Sequence, residues 1–384
     1  MEYINNHIHT TYSFSPYSPS EAVYKAREAG LATAGIMDHD SVGGCGEFIA
    51  AGAALGMPVT VGFELRVRMD ATPFCGRTIN NPDQKSVAYV AAHGIPRRTL
   101  GACEAFLAPY RAHRNIRNRQ MCERLGKLLP APLRLDFAGD ILPLSLHEKG
   151  GSVTERHILY GLSKRIVQVY GIGEPVVRFL RDLAIPVTDK ITGYLLDQDN
   201  PYYLYDLLGV LKSGLVQRFY IDAREECPDV RAFLDFVQGI GAISAYAYLG
   251  DVADSVTGDK KAQKFEDDYL DALFGWLKRA GFHAVTYMPS RNSMAQLRRV
   301  MALCGAHGLF QISGEDINTP RQSFLCPALA RPEFAHLNRA AWALIGHERA
   351  ECIDDGMFTE KTLRAMPSPE ERLAHFERIG RTKK

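Results

Sequence analysis

The chain has 384 residues, of which 46% are hydrophobic, 10% aromatic and 23% charged, and its formal net charge is +1. This composition is typical of a soluble globular protein, and the near-neutral charge excludes the overall basic field with which many proteins hold nucleic acid. No apolar run approaches the roughly 20 residues of a membrane-spanning helix, and the N-terminus lacks a signal-peptide pattern. The eight cysteines form no CxxC pair, which favours reduced thiols. We therefore predict a cytoplasmic protein with no membrane partner.

The N-terminal part of the chain alternates predicted strands and helices. One helix begins near Pro19 and runs to Gly30, and a second, rich in alanine and glycine, runs to Leu55. Strands are predicted at 3–9, 34–38, 58–67 and 86–93. Strands separated by helices of this length are typical of βαβ units and predict a parallel sheet.

The middle of the chain has a different pattern, with helices predicted at 110–129, 155–170, 174–183 and 202–215. Strands return at 241–248, 283–287 and 309–313, with helices at 260–279 and 293–307 between them. We therefore predict a barrel formed by residues 1–98 and 236–325. A helical domain is inserted at 99–235, and a helical tail at 326–384 packs against the barrel.

Side chains that bind metals stand where several predicted strands end. His7 and His9 close the first strand, and residues two apart on a strand point to the same face. A pair of imidazoles on one face is a good beginning for a divalent-metal site. Further candidate ligands end other strands, namely His39 between Asp38 and Asp40, Glu64, and Asp316. In (β/α) barrels the carboxyl ends of the strands gather distant residues around one site.

These motifs, in this order, resemble those of the PHP (polymerase and histidinol phosphatase) family of metal-dependent phosphoesterases. His7-Ile8-His9-Thr10 resembles the first motif of the family, residues 35–40 the second, Gly62-Phe63-Glu64 the segment with its glutamate, and residues 313–318 the last. The resemblance covers most of residues 1–330. It implies an α/β fold, the PHP-type distorted (β/α)7 barrel, and one or two divalent ions per chain, Zn, Mn or Fe.

The resemblance also implies roles for individual residues. The expected metal ligands are His7, His9, His39, Glu64, His93, His157, Asp316 and Asn318. His39, Asp38 and Asp40 form the expected catalytic group, in which either aspartate orients His39. For His157 a buried structural histidine is nearly as good an interpretation, and for Asn318 a hydrogen-bonding role competes with ligation.

The inserted helices resemble those of the PHP subgroup that includes nucleotide phosphatases and 5′-to-3′ exoribonucleases. This similarity lies in residues 111–129 and 154–158. It implies an enzyme, a metal-dependent phosphoric ester hydrolase, whose substrate is a small phosphate ester or the end of a short single-stranded RNA. Arg156, Arg291 and Arg321 are the arginines expected to bind the phosphoryl group.

Two other functions compete with this interpretation. Phe14, Tyr248 and Asn318 stand where the resemblance leads us to expect metal ligands, and this favours a catalytically degenerate barrel that binds a ligand or partner. A similar metal site at a barrel rim also serves hydrolases of C–N bonds. The arginines between 110 and 124 are more typical of a solvated helix face than of a nucleic-acid surface. The sequence gives no prediction of the oligomeric state.

Overall fold

The structure is a computed structural model that describes residues 2–252, 263–350 and 355–382. Residues 260–262 of the helix predicted over 260–279, together with Cys352, lie outside those ranges. In the described part of the chain the seven remaining cysteines are all free thiols, and no helix there is both long and apolar enough to span a bilayer.

Seven strands form one sheet in the order in which they occur in the chain. A parallel bridge between Ile8 and Ile317 joins the end of the first strand to the segment after the last, so the sheet is nearly closed into a barrel. The strands are β1 (Tyr3–Ile8), β2 (Leu31–His39), β3 (Val59–Arg68), β4 (Val87–His93), β5 (Ile243–Ala247), β6 (Ala284–Tyr287) and β7 (Phe310–Ser313). The predicted α/β barrel of seven strands is therefore confirmed.

The sheet differs from the predicted parallel arrangement at β4. This strand runs antiparallel to both β3 and β5, while the other neighbouring pairs are parallel. A parallel pair requires a long crossover, usually a helix. Residues 69–86 contain no helix, so the chain turns back along β3 instead of crossing over it.

Thirteen α-helices lie in the described residues. They are α1 (Pro19–Glu28), α2 (Cys45–Leu55), α3 (Leu100–Leu128), α4 (Glu155–Tyr170), α5 (Glu174–Asp182), α6 (Asp189–Leu196), α7 (Tyr203–Phe219), α8 (Val230–Gly239), α9 (Leu270–Ala280), α10 (Met294–His307), α11 (Ala335–Arg349), α12 (Glu360–Ala365) and α13 (Pro369–Arg381). Local chemistry fixes several helix starts. Ser18 begins α1 with a capping box that pairs it with Glu21, which satisfies backbone N–H groups that have no partner inside the helix.

The helices between α3 and α7 have a hydrophobic core of their own. It runs from Met121 to Phe219 and also takes in Phe14 from the barrel. By contrast, Val230 and Phe233 on α8 belong to the core of the barrel, so the predicted boundary at 235 falls within a helix that packs on the strands. The division into domains stays a prediction, but the apolar contacts give the inserted helices a separate core.

The C-terminal helices cover the barrel next to β5, β6 and β7. Ala340 and Leu344 of α11 lie in one cluster with Ile243, Ala284 and Ile312. The helices α11 and α13 approach each other very closely where two glycines meet. This contact packs α13 against α11, which itself packs on the barrel.

Candidate metal centre

The candidate ligands converge at the carboxyl end of the barrel, from both ends of the chain. His7 lies in β1 and His9 one residue beyond it, and their exposed fractions are 9% and 1%. His39 ends β2 and is in register with Glu64 of β3. Asp316 follows β7 and comes next to β1 because the first and last strands are neighbours.

Three of these residues form a group with the dimensions of a metal site. One potential ligand atom from each of His7, His9 and Asp316 lies within 4.8 Å of the others. Nε2 of His9 is 3.1 Å from Oδ1 of Asp316, and Nε2 of His7 likewise faces a carboxylate, that of Glu64. Two imidazoles with a carboxylate are a donor set for Zn²⁺, Mn²⁺ or Fe²⁺. The residues therefore fit a divalent cation.

Glu64 of β3 contacts two histidines, one from each of the first two strands. Its Oε2 is 2.8 Å from Nε2 of His7, and its Oε1 is 3.4 Å from Nδ1 of His39. The ring of His39 is stacked on the ring of His9, with the two centroids 4.6 Å apart. One carboxylate thus reaches both the group of three and His39.

The protonation states of Glu64, His39 and Asp316 suit ligation. Burial alone would raise the pKa of Glu64, but His39 and His7 lower it to about 2, so this carboxylate is ionised at neutral pH. Burial lowers the pKa of His39 to about 3, which leaves the ring neutral. For Asp316 the effect of burial is outweighed by His9, and the pKa lies well below its usual value. Ionised carboxylates and neutral imidazoles are the forms that bind metals.

Asp38 has a different partner from the one expected. Its carboxylate accepts hydrogen bonds from the backbone N–H of Thr10 at 2.7 Å, the hydroxyl of Thr10 at 2.6 Å and the hydroxyl of Ser13 at 2.6 Å. Ser13 in turn lies 3.2 Å from Nδ1 of His9. Asp38 therefore orients the loop after β1 and, through it, His9. The prediction that Asp38 orients His39 is wrong, because its three hydrogen bonds hold that loop.

Asp40 is also engaged elsewhere. The guanidinium of Arg114 donates to its carboxylate, and Arg111 donates to its backbone carbonyl at 3.0 Å. Its φ of 50° lies in the left-handed region, where aspartate is tolerated better than most residues. The chain thus turns away from His39 and delivers the carboxylate of Asp40 to α3, so Asp40 does not orient His39 either.

His93 lies near the group of three without joining it. On β4 it shares a face with Tyr89 and Ala91, since alternate residues of a strand point the same way, and Ala91 is in register with Glu64. Burial, with the nearby His7, lowers the pKa of His93 to about 3. Its Nε2 is buried and has no hydrogen-bond partner in the described ranges. A ligand role for His93 stays a prediction.

His157 has a structural task that the sequence did not reveal. Its Nδ1 accepts a hydrogen bond of 3.0 Å from the backbone N–H of Thr154 and so completes a capping box at the start of α4. Phe14, which stands where the resemblance implies a ligand, packs edge-on against the His157 ring, with their centroids 5.0 Å apart. These contacts favour the structural interpretation of His157.

Asn318 supports Asp316. Its side-chain amide donates a hydrogen bond of 2.6 Å to Oδ1 of Asp316, and its backbone N–H donates to Gln322 at 2.8 Å. The first contact fixes the orientation of the aspartate carboxylate. Hydrogen bonding therefore describes the observed contacts of Asn318 better than metal ligation does.

The three predicted phosphate-binding arginines have different surroundings. Arg156 is half-buried, its charge acts on Asp316, and within the described residues its guanidinium forms no hydrogen bond or ion pair. Nε of Arg291 donates to the carbonyl of Leu249 at 3.0 Å, and its charge also acts on Asp316. Arg321 instead pairs with Asp206 at 2.6 Å and lies over the ring of Tyr194. Arg321 is thus committed to the inserted helices, and the prediction that it binds phosphate is not supported by this geometry.

A buried network of charges connects the barrel to the inserted helices. Glu155, the neighbour of Arg156, pairs with Arg114 and Arg117, and Glu226 pairs with Arg117 and with Arg66 of β3. The expectation of a solvated arginine face on α3 is wrong for Arg111, Arg114 and Arg117, which are all buried. The signal was present in the sequence, since Asn118, Met121 and Leu125 continue the same stripe at helical spacing.

Tyr89 belongs to the site although the sequence did not single it out. Its ring centroid is 6.0 Å from that of His39. The Tyr89 hydroxyl is also close enough to Arg156 to act electrostatically on the pKa of that residue. The available signal was its position on β4, four residues before His93 and therefore on the same face of the strand. Tyr89 and Arg156 mark the approach to His39 and Asp316.

Comparisons with known proteins agree with this geometry. The profile of the PHP domain matches residues 5–275, while a search of curated proteins finds no match. A structure from Bifidobacterium adolescentis, provisionally described as a metal-dependent phosphoesterase, is similar over 87% of this chain and 96% of its own, with 18% identity and a TM-score of 0.56. An amidohydrolase from Chromobacterium violaceum, with bound sulfate and no metal, is similar over 87% of this chain and 95% of its own, with 20% identity and a TM-score of 0.54. With a PHP profile that spans most of its length and a seven-strand barrel whose carboxyl end gathers His7, His9 and Asp316, this chain belongs to the PHP family.

Proposed function

We propose that this protein is a metal-dependent phosphoesterase that hydrolyses a phosphate ester at the carboxyl end of its barrel. The observation that carries the proposal is the group formed by His7, His9 and Asp316, in which two buried imidazoles converge with an ionised carboxylate. Family membership makes phosphate-ester chemistry the first function to test. The roles given to single residues are part of the proposal.

The residues that would hold a divalent ion are His7, His9 and Asp316, with Glu64 as a further ligand that also reaches His39. When bound, such an ion lowers the pKa of water from about 15.7 towards roughly 7 and polarises a phosphoryl oxygen. The protein contributes orientation. Asp38 orients His9 through the Ser13 hydroxyl, which contacts both residues. Asn318 orients the carboxylate of Asp316 through a direct hydrogen bond.

Arg156 is the residue that we expect to hold the phosphoryl group. A guanidinium that has no carboxylate partner can donate two parallel hydrogen bonds to phosphate oxygens. The charge on those oxygens changes during transfer, and fixed positive groups placed beside them stabilise the transition state. Arg291 lies near Asp316 as well and can contribute a second positive charge. Tyr89 limits the approach to the site beside His39.

The finer proposal concerns the substrate and the ion. We favour a nucleotide or the end of a short RNA, because the inserted helices resemble the subgroup with those activities, and Zn²⁺, Mn²⁺ or Fe²⁺ as the ion. The Chromobacterium violaceum neighbour was solved with sulfate bound, and sulfate has the shape of a phosphoryl group.

A second candidate is a degenerate barrel that binds a ligand without catalysis. Phe14 packs against His157 and Tyr160, and Tyr248 donates a hydrogen bond of 2.7 Å to Asp267. Both side chains serve packing or the support of a loop at positions where the resemblance implies metal ligands. His7, His9 and Asp316 nevertheless provide three potential metal ligands without any contribution from these two positions.

One experiment separates these functions. The purified protein is assayed for bound metals by elemental analysis and for hydrolysis of p-nitrophenyl phosphate, nucleotides and 5′-phosphorylated RNA oligomers. We expect at least one ion per chain and turnover of at least one ester. We also expect His9→Ala and Asp316→Asn to lose both properties, while the exposed His113→Ala keeps them. A metal-free, inactive protein would establish the degenerate barrel, and turnover of amides without esters would establish a C–N hydrolase.

A further inference from the structure

A second cavity lies at the opposite end of the barrel from the metal centre. Its volume is about 1000 Å³, and its wall includes Val59 at the start of β3, Pro96 just after β4, and Trp342 on α11. Because β4 is antiparallel to β3, the end of β4 and the start of β3 lie at the same edge of the sheet. That edge is remote from Glu64 and His39, so this cavity is separate from the candidate metal centre.

The charge of the cavity wall is predominantly positive. Four arginines line it (Arg97, Arg98, Arg349 and Arg381), against one acidic residue, Glu348. Arg381 is paired with Glu2 at 2.9 Å, and Arg349 donates to the carbonyls of Gly380 and Thr382 at 2.7 Å each. Arg97, by contrast, forms no hydrogen bond or ion pair with any residue that the structure describes. A guanidinium without a partner in a concave wall is a ready site for an anion.

Glu348 is the second observation that points to a ligand. It is 5% exposed, and one carboxyl oxygen, Oε1, accepts hydrogen bonds from the Thr60 hydroxyl and, at 2.9 Å, from the backbone N–H of Val61. The other oxygen, Oε2, is buried and has no partner in the described part of the chain. Burial raises the pKa of Glu348 to about 8, although Thr60, Val61, Arg97 and Arg349 oppose the rise. At neutral pH the carboxyl group is therefore protonated and offers a donor.

The rest of the wall is suited to an apolar body. Ile49 and Ala53 of α2, together with Met57 and Val59, face the cavity on one side, and the indole of Trp342 lines it from α11. Pockets for small molecules combine such an apolar lining with a few polar groups that fix orientation, and their volumes run from about 300 to 1,000 Å³. This cavity has both properties.

We propose that this cavity binds a small organic anion, whose carboxylate or phosphate group pairs with Arg97 and whose apolar or aromatic body lies against Trp342. Glu348 stands in the wall beside this anion and has one carboxyl oxygen without a partner in the described residues. The site is distinct from the metal centre, so the proposal stands whatever reaction that centre carries out.

The test uses a fluorescent probe that has both chemical features, 8-anilinonaphthalene-1-sulfonate, titrated into the full-length protein. We expect saturable binding of one probe per chain. Phenyl phosphate and benzoate serve as competitors, and the stronger of the two identifies the preferred anionic group. Arg97→Gln should weaken probe binding by about tenfold or more, since it removes a charge-assisted hydrogen bond, whereas Arg279→Gln, which lines another cleft, should leave it unchanged.

A matched pair of variants guards against a folding defect in Arg97→Gln. Ala53 is exposed on α2 and lines the cavity, whereas the adjacent Ala54 is exposed on the same helix and does not line it. Ala53→Phe should fill the cavity and abolish binding of the probe, and Ala54→Phe should retain it. Absence of saturable binding to the wild type, or equal affinities of the Ala53→Phe and Ala54→Phe variants, would overturn the proposal.

Discussion

The Ser13 hydroxyl donates a hydrogen bond of 2.6 Å to Asp38 and lies 3.2 Å from Nδ1 of His9. A hydroxyl has one proton to give, and here the carboxylate takes it, so Ser13 accepts a hydrogen bond from Nδ1–H of His9. With the proton on Nδ1, the lone pair of the imidazole lies on Nε2, the nitrogen beside Asp316. The chain Asp38–Ser13–His9 thus fixes the tautomer that a metal needs.

Removal of the Ser13 hydroxyl should therefore weaken metal binding. We expect Ser13→Ala to lower the affinity for Mn²⁺ or Zn²⁺ by about tenfold to a hundredfold, the range usual for groups that orient metal ligands. Competition with a chromophoric chelator measures this affinity. Ser163→Ala is the control, because Ser163 is equally buried and donates within α4, to the carbonyl of Leu159. Equal metal affinities of Ser13→Ala and Ser163→Ala would show that Asp38 and Ser13 do not orient a metal ligand.

Chelation should destabilise the protein. The proposed ligands come from β1 and from the segment after β7, so an ion bound between them ties distant parts of the chain together in the folded state alone. At a free metal concentration a hundred times Kd, the stabilisation is about 2.7 kcal/mol. We expect Tm to fall after treatment with EDTA and to recover when Mn²⁺ or Zn²⁺ is added back. His9→Ala should abolish this recovery, whereas a recovery of the same size in His9→Ala would place the ion elsewhere.

The buried charge network should contribute strongly to stability. Glu226→Gln removes one of the two carboxylates that pair with Arg66 and Arg117, and Glu155 is the one that remains. The loss of one partner of a buried pair costs up to roughly 3–5 kcal/mol. Glu104→Gln removes an exposed partner of Arg111 and should cost about 1 kcal/mol or less. Urea unfolding of both variants measures the difference. Similar free energies of unfolding would mean that the network is well solvated.

The contact between α11 and α13 should tolerate no side chain at its glycines. A Cβ atom at Gly380 would lie 1.9 Å from the carbonyl oxygen of Trp342, and one at Gly346 would lie 1.8 Å from that of Phe376. We expect Gly380→Ala to destabilise the protein by about 1–3 kcal/mol, because the helices must separate. Gly209→Ala, at an exposed position of α7 with open space around it, should instead stabilise by about 0.5–1 kcal/mol. Thermal unfolding measures both effects. An increase in Tm for Gly380→Ala as well as for Gly209→Ala would contradict the close contact between the helices.

Glu348 should give stability a pH dependence of predictable sign. Its pKa is about 8 in the folded protein, against a model value of 4.5, so the folded state holds a proton that the unfolded state has released between these values. Stability from this group is complete below pH 4.5 and is lost as the pH rises through about 8. At about 1.4 kcal/mol per pKa unit, the loss is on the order of several kcal/mol.

The comparison of wild type with Glu348→Gln isolates this effect. The glutamine cannot ionise, so the free energy of unfolding of the variant should rise relative to that of the wild type between pH 5 and about pH 8 and then stay level. Denaturant titrations across this range measure the difference. A constant difference between the two proteins would show that Glu348 remains ionised, and would place its pKa near the ordinary value.

The ligand motifs could be found in the sequence because each is local. His7 and His9 share a face through the two-residue period of a strand, and Glu64 and Asp316 end or follow strands in a barrel whose rim gathers such positions. The antiparallel direction of β4 was harder to predict from the sequence. It depends on whether residues 69–86 form a helix that crosses over the sheet or a loop that turns back, and no local motif decides between the two. The role of His157 as a helix cap was hidden for a similar reason, because a capping box with histidine is uncommon.

Sequence by itself determined the positions of the strands along the chain, the family of the barrel and the histidines and carboxylates at its rim, because these depend on periodicity and on short motifs. Only the tertiary structure decided which groups meet across long separations. It turned Asp38 towards Ser13, Asp40 towards Arg114 and Arg321 towards Asp206. The physical reason is that a charged side chain near a barrel rim has several partners of opposite charge within its reach. The partner with which it pairs depends on distances set by tertiary packing, and a local sequence pattern does not specify those distances.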